Sequence, residues 1–153
     1  MIDKLFYSSK NQYQPLNIVI IESVEFRSSF FSKLLAHKRP HHNLTVTKNI
    51  EEVFTLLYQE VKIDLIVFDI NLGLNVKDVS IIEVVSPSTS FLHWSSCQHP
   101  EIIELLHSFG VNSFCLKDSH SDSLIAAIDS VNSNPNILYL DERLGKCLPL
   151  LAN

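Results

Sequence analysis

Several things are scarce or missing in this 153-residue chain, and each gap excludes something. There are three cysteines, Cys97, Cys115 and Cys147, with no C-x-x-C spacing. Their odd number cannot pair fully within one chain, which argues against a disulfide scaffold and a structural zinc and fits a reducing compartment. No apolar run approaches the roughly 18 residues that a membrane span needs. The opening stretch MIDKLFYSSKNQYQPLN lacks the continuous apolar segment of a signal peptide. Basic runs are absent too: 12 Lys and Arg against 17 Asp and Glu leave a net charge of −5. An acidic domain of this kind is a poor candidate for direct nucleic-acid binding, because phosphate neutralisation supplies most non-specific affinity. There is no internal repeat and no low-complexity linker. What is present is apolar matter, 46% of residues against 19% charged. That is enough for one core and too little charge for disorder. A cytoplasmic single-domain protein, with no membrane and no nucleic acid as direct partner, is the expectation.

Periodicity predicts a strict alternation of strands and helices. Asn17-Ile18-Val19-Ile20-Ile21 is short, β-branched and continuously apolar, as a strand buried on both faces is. Ser23 stands where an N-cap would, and Phe26, Phe30, Phe31, Leu34 and Leu35 recur at helical spacing before Pro40. Further strands are predicted at residues 44–47, 64–68, 89–94 and 111–116. Helices are predicted at 51–59, about 78–85, 100–109 and 121–131, with Gly110 as a helix C-terminal cap. Five strand–helix pairs argue for a doubly wound α/β fold, a five-stranded parallel sheet with helices on both faces. Residues 1–16 read as an irregular arm, 17–133 as the domain, and 134–153 as a partly helical, Leu-rich tail. The stripe from Leu140 to Leu151 is either a helix docked on the domain or an oligomer contact, and the first reading is preferred.

In an open parallel sheet, ligands bind beyond the carboxyl ends of the strands, where strand order reverses. Strand one ends in Glu22-Ser23, strand three in Asp69, strand four in Ser95-Ser96 and strand five in Lys117-Asp118. With the order 2-1-3-4-5, Glu22 and Asp69 meet at the switch point and Ser95 and Lys117 flank Asp69. Two carboxylates, a hydroxyl and an ammonium on one edge suit phosphoryl or Mg²⁺ chemistry better than a hydrolytic triad. Each residue also has a plainer reading. Asp69 could be a solvated strand-end acid, Glu22 a helix-dipole partner, and Ser95 or Ser96 an N-cap. Lys117 could be a surface lysine paired with Asp118 or Asp122, and Phe114 and Trp94 ordinary core residues. The seven histidines read as scattered, with His41-His42 a polar loop.

The run IDLIVFDINL, then FLHWSS, then FGVNSFCLKDS resembles the receiver domain of bacterial two-component response regulators. Ile137-Leu138-Tyr139-Leu140-Asp141 resembles the segment that follows the receiver in NarL-type (LuxR-type) regulators. The resemblance spans about residues 17–145. It implies a flavodoxin-like fold in which Asp69 accepts a phosphoryl group from a sensor histidine kinase. It further implies Glu22 and Asp69 as Mg²⁺ ligands, Ser95 as the switch hydroxyl, Phe114 as the rotating aromatic and Lys117 as the phosphoryl-contacting lysine. Its output surface is the fourth helix, fifth strand and fifth helix, often through homodimerisation.

The departures from that pattern carry their own expectations. Such receivers usually present two adjacent acids after strand one, where this chain has Glu22-Ser23; Gly73-Leu74 stands where Pro-Gly is common. At ~4 Å and an effective dielectric of 20, each unit charge–charge interaction is about 4 kcal/mol. One acid fewer therefore eases repulsion and weakens Mg²⁺ binding, to weak or absent. Asp69 is expected to be a poor phosphoacceptor. The domain, not itself an enzyme, is then a receiver or pseudo-receiver working through contacts with a kinase or another regulatory protein. The alternative is a fully competent phospho-receiver of a two-component transcription regulator whose DNA-binding domain is absent from this chain: the NarL-type tail normally leads into a helix-turn-helix, and none follows Leu151. A small phosphohydrolase is disfavoured because Asn71, not a second acid, stands two residues past Asp69. A flavin or nucleotide module is disfavoured because Glu22-Ser23-Val24-Glu25 offers no glycine to cradle phosphate.

Overall fold

The computed structural model describes residues 14–147. Residues 1–13 of the predicted arm and residues 148–153 of the Leu-rich stretch lie outside the described residues. The elements run β1 (Asn17–Ile21), α1 (Glu25–Lys38), β2 (Asn43–Thr47), α2 (Ile50–Tyr58), β3 (Leu65–Phe68) and α3 (Val76–Val85). They continue β4 (Ser90–Ser95), α4 (Pro100–Ser108), β5 (Ser113–Leu116), α5 (Ser121–Ser133), β6 (Tyr139–Leu140) and α6 (Glu142–Cys147). The sheet is wholly parallel in the order β2-β1-β3-β4-β5-β6. The fold is thus the doubly wound α/β arrangement expected, with one correction: the sheet has six strands, not five. The extra strand comes from the predicted tail and pairs with β5 through Ser113↔Tyr139 and Phe114↔Leu140. Two residues are too few for periodicity to announce a strand.

Alternation along the strands sorts the core into two layers. Ile18, Ile20, Leu65, Val67, Leu92, Trp94 and Cys115 pack on Phe31 and Leu35 of α1 and on Leu124, Ala127 and Ile128 of α5. Val19, Ile21, Ile66, Phe68, Phe91, Phe114 and Leu116 pack on Val53 of α2, Val79 and Ile82 of α3, Ile103 and Leu106 of α4, and Leu144 of α6. Burying each large aliphatic side chain stabilises by about 1.5–3 kcal/mol. β3, apolar on both faces, is sealed between the two layers, which makes its carboxyl end a fixed point.

Local chemistry sets the element ends. Asn75 and Asp78 form a reciprocal capping box at the start of α3, each side chain bonded to the other's backbone N–H at 3.1 Å. The predicted cap on α1 is different: Val24, not Ser23, holds the N-cap position, and no side-chain cap bond forms from it. The Glu22 carboxylate accepts the N–H of Val24 itself at 3.1 Å, which fixes the approach to the helix without capping its first turn. Gly110 follows α4 with φ of 105°, where a Cβ would collide with the Glu83 carboxylate. The positive φ is what calls for glycine there, since the exposed Glu83 side chain could swing aside. The described end of the arm is anchored as well: the Leu16 N–H donates to His42 Nδ1 at 3.0 Å, and the Leu16 carbonyl accepts the Asn43 N–H at 2.9 Å.

Candidate functional site

Strand register delivers the polar residues to one rim. Ile20 pairs with Val67, so Glu22 stands level with Asp69, two residues further along each strand. Ser95 is the last residue of β4 and is level with Leu116, after which Lys117 leaves β5. Glu22, Asp69 and Ser95 are 4%, 6% and 1% exposed, a depth at which isolated charges are unfavourable. Each has a partner. Lys117 Nζ donates to Asp69 Oδ2 at 3.0 Å and lies 3.5 Å from Glu22 Oε1. The Ser95 hydroxyl donates to Asp69 Oδ1 at 2.9 Å, and the Asn71 N–H donates to the same oxygen at 2.9 Å. The far side of Glu22 faces Arg27, whose Nη1 is 3.9 Å from Oε2.

These contacts set the ionisation of Asp69. Burial pushes its pKa up, but the bonds from the Asn71 amide, the Lys117 ammonium and the Ser95 hydroxyl outweigh burial and hold it below the ordinary 3.8. The group is a carboxylate at neutral pH. Its neighbour His93 behaves oppositely: burial, only partly offset by the Asp69 charge, lowers its pKa from 6.5 to about 4. His93 is therefore neutral. Its Nε2, 3.9 Å from Asp69 Oδ1, accepts the Ile70 N–H at 3.3 Å.

Four of the five predicted site residues, Glu22, Asp69, Ser95 and Lys117, thus converge. Ser95 combines both of its readings, since its Oγ also accepts the Cys97 N–H at 3.1 Å; Ser96 is exposed. Asp118 pairs with Arg143 at 2.8 Å rather than with Lys117. Phe114 lies one layer beneath, fully buried, with its ring at 74° to the His93 ring and the centroids 6.1 Å apart. His93 and the Asn71 amide were not anticipated. A signal for His93 exists in period two: once Ser95 is placed in the site, the residue two before it shares its face.

The magnesium implied by the resemblance does not fit this donor set. All four oxygens of Glu22 and Asp69 already face a donor or a cation, and the Lys117 ammonium lies against both acids. Ser23 is neutral and exposed. Among the described residues, no group of three or more His, Cys, Asp and Glu side chains could hold a metal ion.

No protein-family model matches the chain, and no curated protein does. Solved structures do. A two-component response regulator of the LuxR family from Aurantimonas sp. SI85-9A1 is 15% identical, covering 90% of this chain and 97% of its own, with a TM-score of 0.78. The fold is that of a response-regulator receiver. The isolated receiver domain of RcsB from Salmonella enterica serovar Typhimurium, solved with the phosphomimetic BeF₃⁻, shares the receiver fold at 14% identity. It covers 88% of this chain and 99% of its own, with a TM-score of 0.78. A response regulator from Thermotoga maritima is 21% identical, covering 78% and 99%, with a TM-score of 0.70. Among the described residues, no helix is long and apolar enough to cross a membrane.

Proposed function

We propose that this chain is a signal-transduction receiver of the degenerate kind, acting through protein–protein contacts, with Asp69 at the phosphoacceptor position. The observation that carries this reading is the Asp69 carboxylate, 6% exposed at the carboxyl end of the central strand, held by Lys117, Ser95 and the Asn71 amide. Aspartyl phosphorylation needs an in-line nucleophile and positive charge around the transferred group. Asp69 supplies the first and Lys117 part of the second, Ser95 would contact the phosphoryl oxygens, and Glu22 and Asp69, already paired with Lys117, leave Mg²⁺ binding weak or absent. The switch groups already occupy the inward arrangement: the Ser95 hydroxyl is on Asp69 and Phe114 is sealed inside. Phosphorylation then has little left to change, which supports a domain resting in one state.

Exposed apolar side chains support a role in contacts: Phe26 is 81% exposed and Val84 82%. Partners in this reading are a sensor histidine kinase or another regulatory protein. A second copy would dock through α4, β5 and α5, with β6 now covering the outer edge of β5. The receiver unit has residues 17–133 as its five-strand body, with segment 1–16 before it and segment 134–153 adding β6 to its sheet and Leu144 to its core; the location is cytoplasmic and the process served is transcription regulation. A competent phospho-receiver is the second reading, favoured by the intact Asp69–Ser95–Lys117 set. The two are separated by beryllofluoride and acetyl phosphate with Mg²⁺, followed by intact mass and NMR with Asp69→Asn as control. The degenerate reading expects little occupancy of Asp69 at millimolar Mg²⁺, and ready saturation would overturn it in favour of the second.

A further inference from the structure

The segment from Tyr139 to Cys147 grips the stretch of chain that carries Lys117. Its β6 runs beside β5, and the Tyr139 N–H donates to the Asn112 carbonyl at 2.7 Å. The Asp141 N–H donates to the Phe114 carbonyl at 3.0 Å. Asp141 itself is only 1% exposed. Its Oδ2 accepts the Leu116 N–H at 3.1 Å and faces the Cys115 thiol at 3.7 Å, while its Oδ1 accepts the Arg143 N–H at 3.1 Å and so starts α6. On the other side of Lys117, Asp118 takes the Arg143 guanidinium at 2.8 Å. Leu144, 1% exposed, packs in the same cluster as Phe114 and Leu116. Hydrogen bonds from one short segment therefore reach residues 114, 116 and 118, and the residue between the last two points its ammonium at Asp69 and Glu22.

We propose that β6 and α6 form a strap whose docking and the seating of Lys117 on Asp69 are one coupled equilibrium. Withdrawal of Lys117 from the acid pocket loosens α6, and release of α6 unseats Lys117. Such coupling is reciprocal by necessity, because a contact that biases one end must be biased equally by the other. The carrier is a short, contiguous set of hydrogen bonds and packed side chains rather than proximity alone. The strap is then the part of the molecule through which the state of the acid pocket is presented to whatever contacts its outer face. That biological meaning rests on the receiver reading. The coupling does not, and it is tested without any phosphodonor or metal, so failure of phosphorylation and failure of coupling are separate results.

The test is amide hydrogen exchange and carboxyl ¹³C NMR on the full chain at fixed neutral pH, with a urea midpoint for each variant to show that the fold is retained. Asp69→Asn removes the charged partner of Lys117. It is expected to lower the protection of the Asp141 and Gly145 amides by about 10-fold, in the range typical of site-to-site coupling. In the reverse direction, Leu144→Ala and the gentler Arg143→Gln are expected to move the Asp69 carboxyl and Lys117 amide resonances, the first more than the second. Lys62→Ala, which removes an exposed lysine paired with Asp64, is expected to leave strap protection at its wild-type level. Strap protection within twofold of wild type in Asp69→Asn would overturn the proposal. So would a Leu144→Ala chain with exposed α6 amides and unmoved Asp69 and Lys117 resonances.

Discussion

Asp69 and Asp141 each lie just beyond the end of a parallel strand on the same rim, and they are 6% and 1% exposed. Both are held below the ordinary aspartate pKa: burial pushes each upward, and the Asn71 amide for the first, and the Ser119 hydroxyl with the Leu116 and Arg143 amides for the second, help to outweigh it. They differ in what else faces each carboxylate. Asp69 meets an ammonium, a hydroxyl and, through Lys117, a second carboxylate. Asp141 meets a thiol that its own charge and the surrounding burial keep protonated, with a pKa pushed up to about 12. A buried, low-pKa aspartate is therefore not a functional signature in itself. In the proposed reading, an ammonium and a second acid set Asp69 apart from a structural clamp, since Asp69 Oδ2 holds no backbone amide and can exchange partners without leaving one unbonded.

The largest test of this contrast is Lys117→Met. It leaves two buried carboxylates facing each other without their cation and is expected to cost about 3–5 kcal/mol, the scale of a broken buried ion pair, read as a lower urea midpoint. Asp141→Ala strands the buried Leu116 N–H, which has a smaller expected cost of about 1–3 kcal/mol. Should the order of these two losses be reversed, the clamp would be the more charge-dependent site and the contrast would fail.

Acid titration of stability separates the groups further. His93 and His42 are held neutral, chiefly by burial, with folded values of about 4 against 6.5 when free. Their contribution is complete above pH 6.5 and is lost as the pH falls towards 4, because the unfolded chain takes up protons first. Each adds up to about 1.4 kcal/mol per pH unit in that window. Asp69 and Asp141, with lowered values, contribute above about pH 3.8 and lose that contribution as the pH falls through their folded values. Urea midpoints from pH 7.5 to 3 should show both limbs, with His93→Leu flattening only the upper one. The smallest effect is Cys115→Ala, which removes a weak donor at 3.7 Å from Asp141 and is expected to cost about 1 kcal/mol.

Much of this was readable from residue order, for physical reasons. β1 and β3 are apolar on both faces, so their ends are sharp in the sequence and Glu22 and Asp69 follow directly from them. Ser95 and Lys117 followed from the same logic of strand ends. His93 was hidden because a histidine inside an apolar strand reads equally as packing or as site. Ser23 does not cap α1 because the helix starts one residue later than cap preference suggests, with Val24 at the N-cap position. β6 is two residues long and owes its existence to the backbone groups of β5, which no local pattern encodes.

The direction of β6 has one more consequence. Had the final strand turned back antiparallel, its end would have emerged on the rim occupied by His42 and Asp64, across the full height of the sheet from Asp69. Because it runs with its neighbours instead, the last helix takes off within a few residues of the acidic mouth. The order of strand directions thereby acts as an address, delivering α6 to the rim that carries Asp69 and Lys117.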